Sequence, residues 1–244
     1  MSPTPVPPKP GAQTLAGIEL LKPLTPAERQ ALELRCRWRR YAEAEQIIDR
    51  EMASEDVFFV IAGQARVVNY SPAGREVSFD DIGPGGIFGE LHALDSRPRS
   101  ASVVAKTATT VGTISSTTFR DLVQTHPVIA MALLRRLATV VRDSTERIMD
   151  LSTLGSHNRI YAELLRLARE ADPAAFASRA AQQARIRPVP MHADIASRVS
   201  TARETVARVL SDLSKKGVLE RESGALLILD VARLTKMIKE FKVE

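Results

Sequence analysis

The chain has little of what redox, metal or covalent chemistry needs. One cysteine, Cys36, stands among 244 residues, so neither an internal disulfide nor a thiolate-held iron–sulfur cluster can form. There is no His/Cys metal spacing, no GxxxxGK phosphate loop and no nucleophile elbow, and an enzyme is not expected. No apolar run approaches the length of a bilayer span, so no membrane partner is expected. Residues 1–16 carry Pro3, Pro5, Pro7, Pro8 and Pro10 and no secretion-signal core, which predicts a disordered tail and a cytoplasmic protein. Net charge is also missing from the front of the chain. The total is +5, and residues 156–244 hold 16 Lys and Arg against 11 Asp and Glu, so the whole excess lies in the C-terminal third. A basic domain suits a phosphate backbone, where Lys and Arg displace condensed counterions, although surfaces that bind nothing can carry such a surplus.

What is present has two textures. From about Leu21 to Ile114 there are short apolar or alternating runs, such as Val57–Ile61, Ala65–Tyr70 and Glu76–Ile82. They are separated by Gly63, by Ser71-Pro72-Ala73-Gly74 and by Gly83-Pro84-Gly85-Gly86. Regular strands without long intervening helices predict an antiparallel β-roll or barrel. Thr25-Pro26-Ala27-Glu28 in front of it carries the chemistry of a helix start and predicts a short helix through about Leu34.

After Thr117 the pattern turns helical. Leu133, Leu137, Val140, Ser144, Ile148 and Leu151 follow one another at steps of three and four, which keeps one seam on one face. A helix from Pro127 to Leu151 would be about 37 Å long at 1.5 Å per residue. The stripe fits a helix lying on its own domain or a parallel dimer seam, and the apolar faces at both Leu133 and Leu134 favour the dimer. Leu154-Gly155-Ser156 breaks the helix and predicts a hinge. An amphipathic helix over Arg159–Ala171, an irregular connection over 172–190, two more helices and a short apolar strand at Ala225–Leu229 are expected to follow.

Those two helices carry the first functional motif. Met191–Val199 reads as one short helix, Ser200-Thr201-Ala202 as a turn, and Arg203 begins the next. Ile195, Ala196, Val199, Val206 and Leu210 fall where a helix-turn-helix unit packs on itself. Thr201 and Glu204 have the spacing of a capping box. Arg203, Glu204 and Arg208 would then stand at the exposed N-terminal end that enters a major groove, where arginine can bind guanine O6 and N7 and glutamate can accept from cytosine N4. The same spacing also fits a solvated helical face. The following strand suits a wing beside DNA.

The second motif is Gly85-Gly86-Ile87-Phe88-Gly89-Glu90-Leu91, followed by Arg99-Ser100-Ala101-Ser102-Val103. Gly89 permits close backbone approach to a ligand, Glu90 can accept from a ribose hydroxyl, and Arg99 with Ser100 can hold a phosphate. A Glu90–Arg99 pair serving only structure is the plain alternative.

The stretch Phe88-Gly89-Glu90-Leu91 to Arg99-Ser100-Ala101 resembles the phosphate-binding cassette of cyclic-nucleotide-binding domains. With the helix Arg203-Glu204-Thr205-Val206-Ala207-Arg208, the chain resembles the cyclic-AMP receptor protein (CRP/FNR) family of bacterial transcription regulators over roughly residues 20 to 230. The resemblance implies an α+β chain. A cyclic-nucleotide-binding β-roll would occupy 17–125, a long dimerisation helix 126–153 and a winged helix-turn-helix domain 154–244.

It also implies an effector site of Gly89, Glu90, Leu91, Arg99, Ser100, Ala101, Arg142, Ser144 and Thr145. Ser144 and Thr145 would touch the purine from the two subunits, which would give the polar interruption of the seam a partner. The implied effector is cAMP, with cGMP or cyclic di-GMP as alternatives. The implied partners are double-stranded DNA with a TGTGA-like palindrome, a second copy of the chain and RNA polymerase. Ser200, Thr201, Arg203, Glu204, Thr205 and Arg208 would contact DNA. A cyclic-nucleotide sensor acting on a partner protein is the alternative from another class.

Three features depart from the family pattern. Ser200 stands where the turn usually has glycine. The cassette loop is one residue shorter than in the enteric activators. His92 replaces a small apolar residue and raises haem ligation as an alternative.

Overall fold

Gly63 moves the chain from one sheet to another. Its φ of +80° turns the end of β3 (Val57–Ala62) into β4 (Ala65–Tyr70), and a Cβ there would lie 2.3 Å from the Ala108 carbonyl oxygen. The computed structural model describes residues 14–51, 54–173, 176 and 182–240. The expected disordered tail falls almost wholly outside the described residues, as does part of the 172–190 connection. The chain divides into two compact units, residues 1–140 and 141–244.

In the first unit, β1 (Arg37–Tyr41), β8 (Thr109–Ile114), β3 and β6 (Ile87–Phe88) form one antiparallel sheet, in the order β1-β8-β3-β6. A second sheet has the order β2-β7-β4-β5, from β2 (Gln46–Ile48), β7 (Ser102–Ala105), β4 and β5 (Glu76–Ile82). Phe58, Val60, Ile82, Phe88, Val103 and Val111 are buried together in one apolar cluster. The Phe58 and Phe88 rings stack with centroids 4.9 Å apart. The β-roll expectation is met, and β4 and β5 have the bounds the sequence pattern indicated.

A second cluster gathers Val57, Phe59 and Ile114 with residues of α1 (Pro26–Glu33), α3 (Ser116–Thr125) and the start of α4 (Pro127–Thr153). The Thr25 hydroxyl accepts from the Glu28 amide while the Glu28 carboxylate accepts from the Thr25 amide, closing the capping box that starts α1. No helix among the described residues is long and apolar enough to cross a membrane.

The second unit contains the C-terminal half of α4, α5 (Ser156–Ala171), β9 (Ala184–Ile186), α6 (His192–Arg198), α7 (Arg203–Lys215), β10 (Leu219–Glu222), β11 (Ala225–Ile228) and α8 (Val231–Glu240). Gly155 caps α5 in extended conformation, where the hinge was expected. The one apolar strand expected here, β11, is the middle of a β10-β11-β9 sheet. Its neighbours escape a search for apolar runs because their outward positions, Arg185 and Glu220-Arg221, are exposed and charged. Ile160, Leu164, Ile195, Val206, Val209, Leu213, Ile228 and Leu234 close one core.

Candidate functional site

Strand β6 runs into Gly89, whose φ of +82° starts α2 (Glu90–Asp95). A Cβ at Gly89 would lie 2.8 Å from both Arg99 Nη1 and the Asp56 carbonyl oxygen, so both backbone conformation and crowding demand glycine. Arg99 is 6% exposed. Its Nη1 donates to the Gly89 carbonyl at 2.7 Å, and its Nη2 donates to the Asp56 carbonyl at 2.7 Å and to Ser54 Oγ at 3.2 Å. Its Nε is buried without an acceptor. Burial lowers the Arg99 pKa from its ordinary value, while Asp56, Glu90 and Glu55 oppose that shift. A guanidinium held by carbonyls keeps its charge for an incoming anion.

Glu90 is also buried, and it forms no ion pair with Arg99, so the plain pairing alternative does not describe the site. Burial pushes its carboxyl above the usual carboxylate range, against the pull of Arg136 and Arg99. The cation facing it is Arg136 on α4, whose Nε lies 3.9 Å from Glu90 Oε1. Arg136 Nη2 donates to the Ile87 carbonyl at 3.0 Å, and its Nε is buried without an acceptor. Sequence reasoning missed Arg136. It becomes visible only once Leu133, three residues earlier, is known to face the roll.

Leu91 and Ser100 are exposed and Ala101 is half-buried, and Asn69 Nδ2 donates to the Ser100 carbonyl at 3.2 Å. Gly89, Glu90 and Arg99 are therefore brought together, and Leu91, Ser100 and Ala101 flank them. His92 Nδ1 lies 2.6 Å from the Arg97 carbonyl, across a loop that turns at Ser96 with φ +58°. Arg142, Ser144 and Thr145 belong to the second unit and are exposed on α4. The Thr145 hydroxyl donates to the Val141 carbonyl at 2.9 Å.

The exposed apolar stripe of α4 begins one residue later than the sequence pattern suggested. Leu133 is 2% exposed inside its own unit, whereas Leu134, Val141 and Ile148, spaced seven apart, are 58%, 64% and 62% exposed. Val140 and Leu151 are exposed as well. Leu133 belongs to the roll's core because α4 lies on the roll at its N-terminal end.

In the helix-turn-helix, Val206, Val209 and Leu213 of α7 face the core, and Arg203, Glu204 and Arg208 are exposed as expected. Arg208 Nη2 donates to Thr205 Oγ1 at 3.4 Å. Ser200 takes φ +51°, the left-handed conformation that glycine would adopt more cheaply. The expected Thr201–Glu204 capping box does not form. Thr201 donates its amide to the Ala196 carbonyl at 3.0 Å to close the turn, and extended Ala202 is the residue before the helix. Glu204 is consequently the second residue of α7 and cannot reach back as a third-position partner.

Residues 38–126 match the family described as the cyclic nucleotide-binding domain, and residues 158–237 match the Crp-like helix-turn-helix domain. The CRP-like cAMP-activated global transcriptional regulator of Mycobacterium tuberculosis is 28% identical over 180 residues, covering 74% of this chain and 78% of that one. The cAMP-activated global transcriptional regulator CRP of Salmonella typhimurium is 28% identical over 194 residues, covering 79% of this chain and 90% of that one. The solved structure of a CooA mutant from Carboxydothermus hydrogenoformans shares the fold at 21% identity with a TM-score of 0.73, over 90% of this chain and 94% of that one.

Proposed function

Because the chain belongs to the CRP/FNR family of transcription regulators, we infer that it is a DNA-binding regulator switched by cAMP and has no enzymatic activity. The observation that carries the effector assignment is the buried Arg99 guanidinium, with an unpartnered Nε, packed against the Gly89 backbone where no side chain fits. A cyclic phosphate oxygen supplies the missing acceptor, and the Ser100 hydroxyl donates to the same anion. A ribose hydroxyl donates to the Glu90 carboxylate, whose nearest cation is the Arg136 guanidinium at 3.9 Å. Arg136 ties that carboxylate's surroundings to α4, so a change at Glu90 reaches the helix.

Two copies associate along Leu134, Val141, Ile148 and Leu151, and Ser144 and Thr145 are the proposed purine contacts from the two subunits. Arg203, Glu204 and Arg208 read a TGTGA-like half-site, and the twofold axis of the dimer makes the operator a palindrome. Ser200, Thr201 and Thr205 stand beside them as phosphate contacts. The Ala202 side chain caps nothing, which leaves first-turn amides of α7 open to a phosphate oxygen. RNA polymerase is the proposed protein partner.

Calorimetry with cAMP, cGMP and cyclic di-GMP tests the effector. The expected result is saturable cAMP binding at one molecule per chain that Arg99→Met abolishes. Tighter binding of cGMP or cyclic di-GMP would reassign the ligand. Binding that survives Arg99→Met would overturn the site.

A further inference from the structure

α5 presents an apolar face of Ile160, Tyr161, Leu164, Leu165 and Ala168 to the core of the second unit, yet Glu163 in its midst is 0% exposed. A carboxylate at such a position costs several kcal/mol unless it is paired and hydrogen-bonded. Here both oxygens are used. Arg166 Nη1 donates to one, and Arg198 Nη1, at the end of α6, donates to the other at 3.1 Å. Arg166 Nη2 in turn donates to Asp150 Oδ2 on the last turns of α4 at 3.1 Å. The line Asp150–Arg166–Glu163–Arg198 thus joins α4, α5 and the first helix of the helix-turn-helix.

One turn before Glu163, Arg159 bridges the same elements. Its Nη1 donates to the Leu154 carbonyl just past α4 at 3.3 Å, and its Nη2 donates to the carbonyl of the left-handed turn residue Ser200 at 3.4 Å. The planar guanidinium reaches both carbonyls at once, which a lysine cannot do.

We propose that Arg159 and Glu163 are positioning residues that lock the helix-turn-helix to the end of α4, so that a movement of α4 is delivered to the recognition helix α7. The proposal rests on the functional inference above and adds the parts that carry the coupling. A purely structural role would make these ties matter for stability alone. Removing one partner of a buried pair also costs stability, so the melting temperature and the coupling ratio have to be read side by side.

The test uses full-length parent, Arg159→Lys and Glu163→Gln. It measures nucleotide affinity by calorimetry, the melting temperature, and affinity for a TGTGA palindromic duplex with and without saturating cAMP. In both variants cAMP affinity is expected to stay within about twofold of the parent, while the ratio of DNA affinities with and without cAMP falls at least tenfold. A folded variant that keeps the parent's ratio overturns the proposal, as does a ratio lost together with cAMP binding. If Glu163→Gln is unfolded at the assay temperature, Arg159→Lys, which keeps the charge and the stem, decides alone. A parent whose DNA affinity does not respond to cAMP overturns the functional inference, and the coupling role falls with it.

Discussion

Replacing Gly89 with alanine separates two costs that the structure superimposes at one residue. At φ +82° any side chain meets the left-handed penalty of about 1–2 kcal/mol. The added Cβ would also lie 2.8 Å from Arg99 Nη1 and 2.8 Å from the Asp56 carbonyl, a backbone atom with little room to yield. Displacing the guanidinium breaks at least one of its charge-assisted bonds, each worth about 1.5–3 kcal/mol. Together these predict a loss of about 3–5 kcal/mol, seen as a fall in melting temperature on the order of 10 °C, and loss of cAMP binding. Gly74 is the control. It has φ +73° and nothing within 4 Å of an added Cβ, so Gly74→Ala isolates the backbone penalty of about 1–2 kcal/mol and leaves the effector site intact. Urea melts and calorimetry on the two variants compare them directly. If Gly89→Ala matched Gly74→Ala in stability and still bound cAMP, the account of the Arg99 cradle would be wrong.

Three further outcomes are expected. Burial raises the Glu90 pKa in the folded state, so the stability contributed by the neutral form is complete below the unfolded value and lost as pH rises through the raised folded one. Glu90→Gln has no proton to lose, and its melting temperature without nucleotide should gain on the parent's as pH rises above the ordinary glutamate value of about 4.5, whereas parallel curves would contradict the buried-carboxyl account. Thr25→Ala should cost about 1 kcal/mol because its hydroxyl caps α1, while Thr201→Ala should change stability by less than about 0.5 kcal/mol because its side chain caps nothing. Sedimentation should show Leu134→Lys with Ile148→Lys as a monomer and the parent as a dimer. A dimeric double variant would remove the exposed seam from the association surface.

Local chemistry made the roll and both motifs legible. Glycine and proline punctuate β3, β4 and β5 because the chain must turn there, and the cassette places Gly89, Glu90 and Arg99 within one short stretch of sequence. What stayed hidden depends on facts that no local pattern holds. Arg99 is seated by the carbonyl of Asp56 and the hydroxyl of Ser54, more than forty residues away. Arg136 reaches Glu90 only because α4 lies on the roll at Leu133, and that same contact moves the start of the exposed apolar stripe to Leu134. The Thr201–Glu204 spacing imitates a capping box, but closing the turn onto Ala196 takes Thr201 out of register. β9 and β10 show only one apolar face each, too short an alternation to separate from loop.

The central claim is that a cyclic nucleotide held by Arg99 raises affinity for DNA. Fluorescence anisotropy of a labelled TGTGA palindromic duplex, titrated with the parent and with Arg99→Met at zero and saturating cAMP, measures it directly. The account predicts that cAMP tightens binding of the parent at least tenfold and leaves Arg99→Met unchanged. Equal affinities of the parent with and without cAMP would contradict it.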